Sequence, residues 1–173
     1  MRPTLGPHRR QRPSASTLAR PGSPGGVHVL RAVTRIEAPR DDVFPFFADA
    51  GNLERITPPE LRFRIVTPRP IDMRAGAHIE YRLGLWGVRF GWRTEITDWD
   101  PPRTFTDSQL KGPYHTWIHR HDFEVDGEAT VMTDEVRYRL PLWPLGDVAL
   151  PVVARQLERI FRHRAAVIRK LVG

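Results

Sequence analysis

The chain has 173 residues and no cysteine. That suits one domain with its own core and excludes disulfides and thiolate metal sites. The net charge is +7, but residues 1–26 hold five arginines and no acid, so +5 lies there and the rest carries +2. A near-neutral body with arginine and acid interspersed excludes a basic nucleic-acid platform. No apolar run approaches the ~20 residues of a membrane-spanning helix.

Residues 1–26 also contain five prolines and four glycines, with almost nothing to bury. They read as a disordered basic leader, set apart from an ordered domain at 27–173. An arm of this kind could make weak contact with an anionic membrane surface. No apolar segment follows the first arginines, so no secretory signal is expected and a cytoplasmic location is. Arginine outnumbers lysine 25 to 2, a bias that a GC-rich bacterial genome would produce.

From Val27 the pattern is ordered. Leu30, Ala32, Thr34 and Ile36 alternate with Val29, Arg31, Val33 and Arg35, which predicts a first strand. Residues 40–48 read as a short helix that must hold Pro45 near its start. Asp49 reads as the cap of a second helical turn through Arg55. Leu61, Phe63 and Ile65 alternate with Arg62 and Arg64, giving a second strand.

Next, Tyr81, Leu83 and Leu85 alternate with polar residues, as do Phe90, Trp92, Thr94 and Ile96. Two paired strands follow from this, with Gly87 at their turn. Phe105, Asp107 and Gln109 share a face of the strand after "DPPR". Met132, Val136, Tyr138 and Leu140 mark the last strand, with Asp134 on the same side. Beyond Pro151, Val153, Leu157, Ile160, Phe161, Ile168 and Leu171 fall on one stripe of a 3.6-residue period, a long amphipathic helix. The class is α+β: a curved seven-stranded antiparallel sheet, two short helices after the first strand, and a C-terminal helix covering one face.

The stretch "YHTWIHRHDFE" at 114–124 carries the chemistry. Strand side chains alternate, so His115, Trp117, His119, His121 and Phe123 share one face. A hairpin centred on Asp126-Gly127 pairs His119 with Asp134, His121 with Met132 and Trp117 with Val136. The "KGPY" turn brings Asp107 beside Trp117 or His119, and Gln109 near His115. A histidine between two inward carboxylates can be held charged or fixed in one tautomer. Four readings stand: a satisfied polar network, an anchor for a ligand oxygen, an acid–base pair, or a metal held by His119, His121 and a carboxylate. No activated nucleophile and no dinucleotide fingerprint is present. No resident metal or other cofactor is expected.

The segments "VFPFFADAGNLERITPPELRFRI", "FTDSQLKGPYHTWIHRHDFE", "VMTDEVRYRLP" and "PLGDVALPVVARQLERIFRHR" together resemble the START-like or SRPBCC superfamily. It is a helix-grip (Bet v 1-like) fold that includes polyketide cyclases and Coq10-type lipid-binding proteins. The resemblance covers residues 27–172. It implies a cavity between sheet and C-terminal helix for a hydrophobic small molecule, such as a lipid, an isoprenoid or quinone, or a polyketide-like compound. Tyr81, Leu83, Phe90, Trp92, Phe105, Gln109, His115, Trp117, His121, Phe123, Met132 and Tyr138 are the expected lining. The alternative is a cyclase or dehydratase working through His119 with Asp134 or Asp107. Neither reading assigns a nucleic-acid or protein partner.

Overall fold

The structure is a computed structural model, and it describes residues 16–23, 26–85, 87–142 and 144–173. Its strands are β1 (Ser16–Ser23), β2 (Val27–Ile36), β3 (Arg64–Ile65), β4 (His78–Leu85), β5 (Val88–Asp100), β6 (Thr104–Lys111), β7 (Thr116–Asp126) and β8 (Ala129–Arg139). Its helices are α1 (Arg40–Ala48), α2 (Leu53–Ile56) and α3 (Leu150–Leu171). The strands form one antiparallel sheet in the order β1-β2-β8-β7-β6-β5-β4-β3.

The period-two pattern decides which face is inside. Along β2, His28, Leu30, Ala32, Thr34 and Ile36 are buried. Along β8 the buried set includes Met132, Asp134, Val136 and Tyr138. In α1, Asp41 and Asp42 sit in the first turn, where the helix dipole favours negative charge. Val43, Phe44 and Phe47 face the core. Asp49 accepts a hydrogen bond of 2.8 Å from the Gly51 amide and caps the short turn leading to α2. On α3, Leu157, Phe161, Ala165 and Ile168 form the buried stripe, while Leu171 at its end is exposed.

Three expectations need correction. First, the leader is not wholly without structure. Ser16–Ser23 pair antiparallel with β2 as an eighth, edge strand, because backbone hydrogen bonding needs no apolar pattern. Residues 1–15, where the rest of the leader expectation falls, lie outside the described residues.

Second, the strand expected across Leu61 to Ile65 shrinks to Arg64–Ile65. Pro59–Leu61 form a tight helical turn, and Arg62 takes a left-handed backbone at φ 45 that interrupts the alternation.

Third, the β7–β8 hairpin turns one residue later than expected. Asp126 pairs with Ala129, leaving Gly127 and Glu128 as the loop. Gly127, at φ 65, takes the first loop position, where the type II′ hairpin turn places glycine. Moving the turn by one residue moves the pairing by two. His119 therefore pairs with Val136, His121 with Asp134 and Trp117 with Tyr138. A shift of two preserves the faces, so the inward set is unchanged.

The core divides along the sheet. α3 lies across β1 and β2, and Leu157 and Phe161 pack on Leu30, Val136 and Tyr138. Ile168 joins α1 over Ile36, Phe123 and Met132. The β4–β6 side is not closed by α3 in the same way. Among the described residues, no helix is long and apolar enough to cross a membrane.

Candidate functional site

Between that uncovered side and α3 is a cavity of about 450 Å³, within the range of small-molecule sites. Tyr81 and Leu83 reach it from β4, Phe90, Trp92, Thr94 and Ile96 from β5, and Phe105 and Asp107 from β6. Trp117, His119 and His121 reach it from β7, and Leu157, Ile160, Phe161 and Arg164 from α3. Phe46, Phe47, Leu53 and Ile56 close one end. The lining is mostly apolar; Thr94 and Asp107 meet the two histidines in one polar cluster, and Asp49, Asn52, Thr57 and Gln156 add polar groups elsewhere.

The sheet order explains that cluster. β7 lies between β6 and β8, with Asp107 opposite His119 on one flank and Asp134 opposite His121 on the other. Both histidines therefore reach both carboxylates. His119 Nε2 lies 2.9 Å from Asp134 Oδ1, a buried hydrogen bond. His121 Nδ1 sits at the same 2.9 Å from that oxygen but off the line of a straight hydrogen bond. On the cavity side, His119 Nδ1 is 3.6 Å and His121 Nε2 3.5 Å from Asp107 Oδ2. Thr94 donates to the other oxygen, Asp107 Oδ1, at 3.1 Å. Phe105 stacks on His121, and Phe161 meets His119 edge-on.

Burial and mutual charge set the proton positions. Burial, and then the charge of neighbouring His121, push His119 down to about 4, against the pull of Asp134 and Asp107. Burial also opposes charge on His121, but its contacts with Asp107 and Asp134 outweigh it and the pKa is raised. Burial would raise Asp134, yet the hydrogen bonds and charges of both histidines hold it well below the usual carboxylate range. Asp107 is lowered in the same way, with help from Thr94. Of the two outcomes open for a histidine between carboxylates, charged or held in one tautomer, the charge falls on His121 and not on His119. Two rings with centroids 3.8 Å apart resist a second positive charge, and His121 holds the first.

Of the residues expected to form the site, Tyr81, Leu83, Phe90, Trp92, Phe105, Asp107, Trp117, His119 and His121 line the cavity. Asp134 stands behind the histidines, outside the lining. Phe123, Met132 and Tyr138 are packed in the core under α1 and α3, the side of the sheet that the helices cover directly. Gln109 spends its side-chain amide on the Tyr114 carbonyl at 2.7 Å, closing its own hairpin turn. His115 lies before β7 begins, where the alternation does not yet apply, and is exposed.

Sequence reasoning missed Thr94, Tyr114, Phe161 and Arg164 as lining residues. Arg164 was the most legible of these. It is a charged residue three positions after Phe161 and seven after Leu157, on the stripe that faces the sheet. Its guanidinium lies 5.2 Å from the Phe161 ring centre. Trp92 contributes an indole Nε1 that is buried without a hydrogen-bond partner among the described residues.

Residues 36–165 match the family model described as polyketide cyclase / dehydrase and lipid transport. Among curated proteins, none matches the sequence. Protein Ms6760 from Mycobacterium smegmatis is similar in structure, with a TM-score of 0.64 at 18% identity, over 90% of this chain and 97% of that one. A START superfamily protein from the same organism superposes with a TM-score of 0.61 at 13% identity, over 83% and 96%. The ginseng major latex-like protein 151 from Panax ginseng does so with a TM-score of 0.58 at 16% identity, over 82% and 97%. At such identities the likeness carries the fold alone, and it is the START-like helix-grip fold. The family match covers most of the sequence, and the chain belongs to the polyketide cyclase / dehydrase and lipid transport family.

Proposed function

We propose that this protein binds a hydrophobic or amphipathic small molecule of the lipid, isoprenoid or polyketide-like class. The observation that carries the reading is the cavity of about 450 Å³, walled mostly by aromatic and aliphatic side chains, with Asp107, His119 and His121 grouped in its lining. That balance suits a mostly apolar ligand held by one oxygen-bearing end. Two features support a ligand over a packed core. The Trp92 Nε1 donor is buried without a partner, whereas a buried indole N–H usually finds one. Tyr81, which also lines the cavity, has its phenol pKa raised well above the ordinary value, first by burial and then by the Asp107 charge. It stays a neutral donor at physiological pH. Native mass spectrometry of freshly purified protein tests the reading. A bound organic molecule, lost in Phe90→Arg, is the expected result. A bare chain that also fails to take up fatty acids, quinones or polyketides overturns it.

One observation favours a second reading, a cyclase or dehydratase. The adjacent histidines hold their protons in opposite senses at the cavity wall. His119 would accept a proton from a carbon flanked by carbonyls while His121 donates one to the carbonyl oxygen, leaving an enol. A base whose conjugate acid has a pKa of about 4 is poorly matched to that work near neutrality, so binding comes first. Turnover of a poly-β-ketone, lost in His119→Ala, would reverse the order.

A further inference from the structure

We propose that Asp107, His119 and His121 form a binding site for a divalent transition-metal ion of the zinc type, with its open coordination positions facing the cavity. The inference starts from where the ring protons are held. His119 Nε2 and His121 Nδ1 both lie 2.9 Å from Asp134 Oδ1. Once His121 gives up its second proton to an incoming ion, the opposite nitrogens, His119 Nδ1 and His121 Nε2, can both present lone pairs. Both lone pairs are directed toward Asp107 Oδ2, at 3.6 and 3.5 Å. Three potential ligand atoms then converge on one point at the cavity wall, where an ion would take the place of the His121 proton.

A proton can fill that space only poorly. Charge-assisted N–H···O contacts settle at about 2.7–2.9 Å, well short of the distances seen. A metal ion fits better. With metal–nitrogen and metal–oxygen bonds of about 2.0–2.1 Å, neighbouring ligand atoms in a tetrahedral shell stand roughly 3.4 Å apart. The three ligand atoms lie within 4.8 Å of one another, so they would draw in slightly to close round an ion.

The surroundings are built as metal sites are built. Histidine ligands ordinarily give their second nitrogen to a carboxylate, which fixes tautomer and ring orientation. Asp134 stands in that position for His119, lies 2.9 Å from His121 Nδ1 without a straight hydrogen bond, and is itself buried. Thr94, whose hydroxyl has the Ser108 carbonyl at 2.9 Å and Asp107 Oδ1 at 3.1 Å as acceptors, lies on the Oδ1 side of the carboxylate and leaves Oδ2 for the ion. Two imidazoles and one carboxylate without a thiolate suit zinc, iron(II), cobalt(II) or manganese(II) over the softer metals. Asp107, His119 and His121 all line the cavity, so water or a ligand oxygen would complete the shell. The site stands apart from the identity of any organic ligand.

The test uses the full chain, stripped with chelator and titrated with Co²⁺ and then Zn²⁺, with no organic ligand present. One Co²⁺ per chain is expected, with visible absorption of an imidazole–carboxylate site, displaced by Zn²⁺. Asp107→Asn, nearly isosteric, should abolish the signal while the far-UV circular dichroism is kept. Asp134→Asn should weaken affinity about 10–100-fold. His78→Ala and His115→Ala, outside the cluster, should change nothing. Substoichiometric or weak Co²⁺ uptake overturns the proposal. So does tight uptake that Asp107→Asn and His121→Ala leave intact, which would be adventitious coordination by surface histidines. Failure here leaves the binding of fatty acid or quinone, measured separately, where it was.

Discussion

The imidazoles of His119 and His121 lie with ring centroids 3.8 Å apart and planes tilted by 39°, and in the metal-free protein they hold protons in opposite senses. An NMR titration of chelator-treated protein should find His119 neutral down to about pH 4. His121 should stay protonated above the ordinary imidazole range. The linkage to stability has a definite sign for each. The His121 contribution is fully present below its unfolded pKa and is lost as pH rises through its raised folded pKa. For His119 the contribution is present above the unfolded pKa and is lost as pH falls toward about 4. Asp107 and Asp134 add a contribution present above the unfolded carboxylate pKa and lost as pH falls through their depressed folded values. The melting temperature should therefore fall on both sides of neutrality. Two histidines titrating together at the ordinary value would contradict the arrangement.

Asp134 is buried and serves both rings. Removing one member of a buried charged network leaves its partners uncompensated. Asp134→Ala should cost roughly 3–5 kcal/mol in denaturant unfolding. Glu37→Ala, which breaks an exposed pair with Arg35, should cost under about 1 kcal/mol. Equal losses in the two variants would show that the quartet is not buried as described.

Trp92 and Trp117 meet edge to face at 5.3 Å, and both line the cavity. An apolar fluorophore entering it should quench tryptophan emission and be displaced by fatty acid or quinone. Phe90→Arg should reduce uptake at least tenfold with the melting curve little changed, because Phe90 is only half-buried. Unimpaired uptake in that variant would place the ligand elsewhere.

Deleting residues 1–25 should destabilise the protein by about 1 kcal/mol or more, because the pairing of β1 with β2 is lost. For a chain of this size that is roughly 2–4 °C in melting temperature. Hydrogen exchange should quicken at the β2 amides that face β1 and not at those that face β8. An unchanged melting temperature and exchange pattern would show that the edge strand contributes nothing in solution.

Much of this architecture was legible because burial writes a period into a strand. The faces of β2, β5, β7 and β8 follow from alternation alone, and the two hairpin turns add the meeting of His119 with both carboxylates. What alternation cannot supply is register. One glycine choosing the first loop position moved every β7–β8 pair by two residues and made the His119–Asp134 contact a diagonal one. Nor can it separate a side chain facing a cavity from one facing a helix. Phe123 and Tyr138 alternate just as Phe105 and Trp117 do, and only the path of α3 tells them apart. The β1 strand left no mark, since its pairing rests on backbone groups that every sequence has.

The uneven cover of the sheet by α3 separates two kinds of evolutionary freedom. Residues pinned between α3 and the β2–β8 half, such as Leu30, Val136 and Leu157, answer to folding and tolerate little change. Half-buried positions that border the cavity beyond it, such as Phe63, Met73, Leu83 and Phe90, answer mainly to whatever fills that space. A lineage could drift through new cargo by exchanging the second set while the first stays still, so one scaffold can diversify without first becoming unstable.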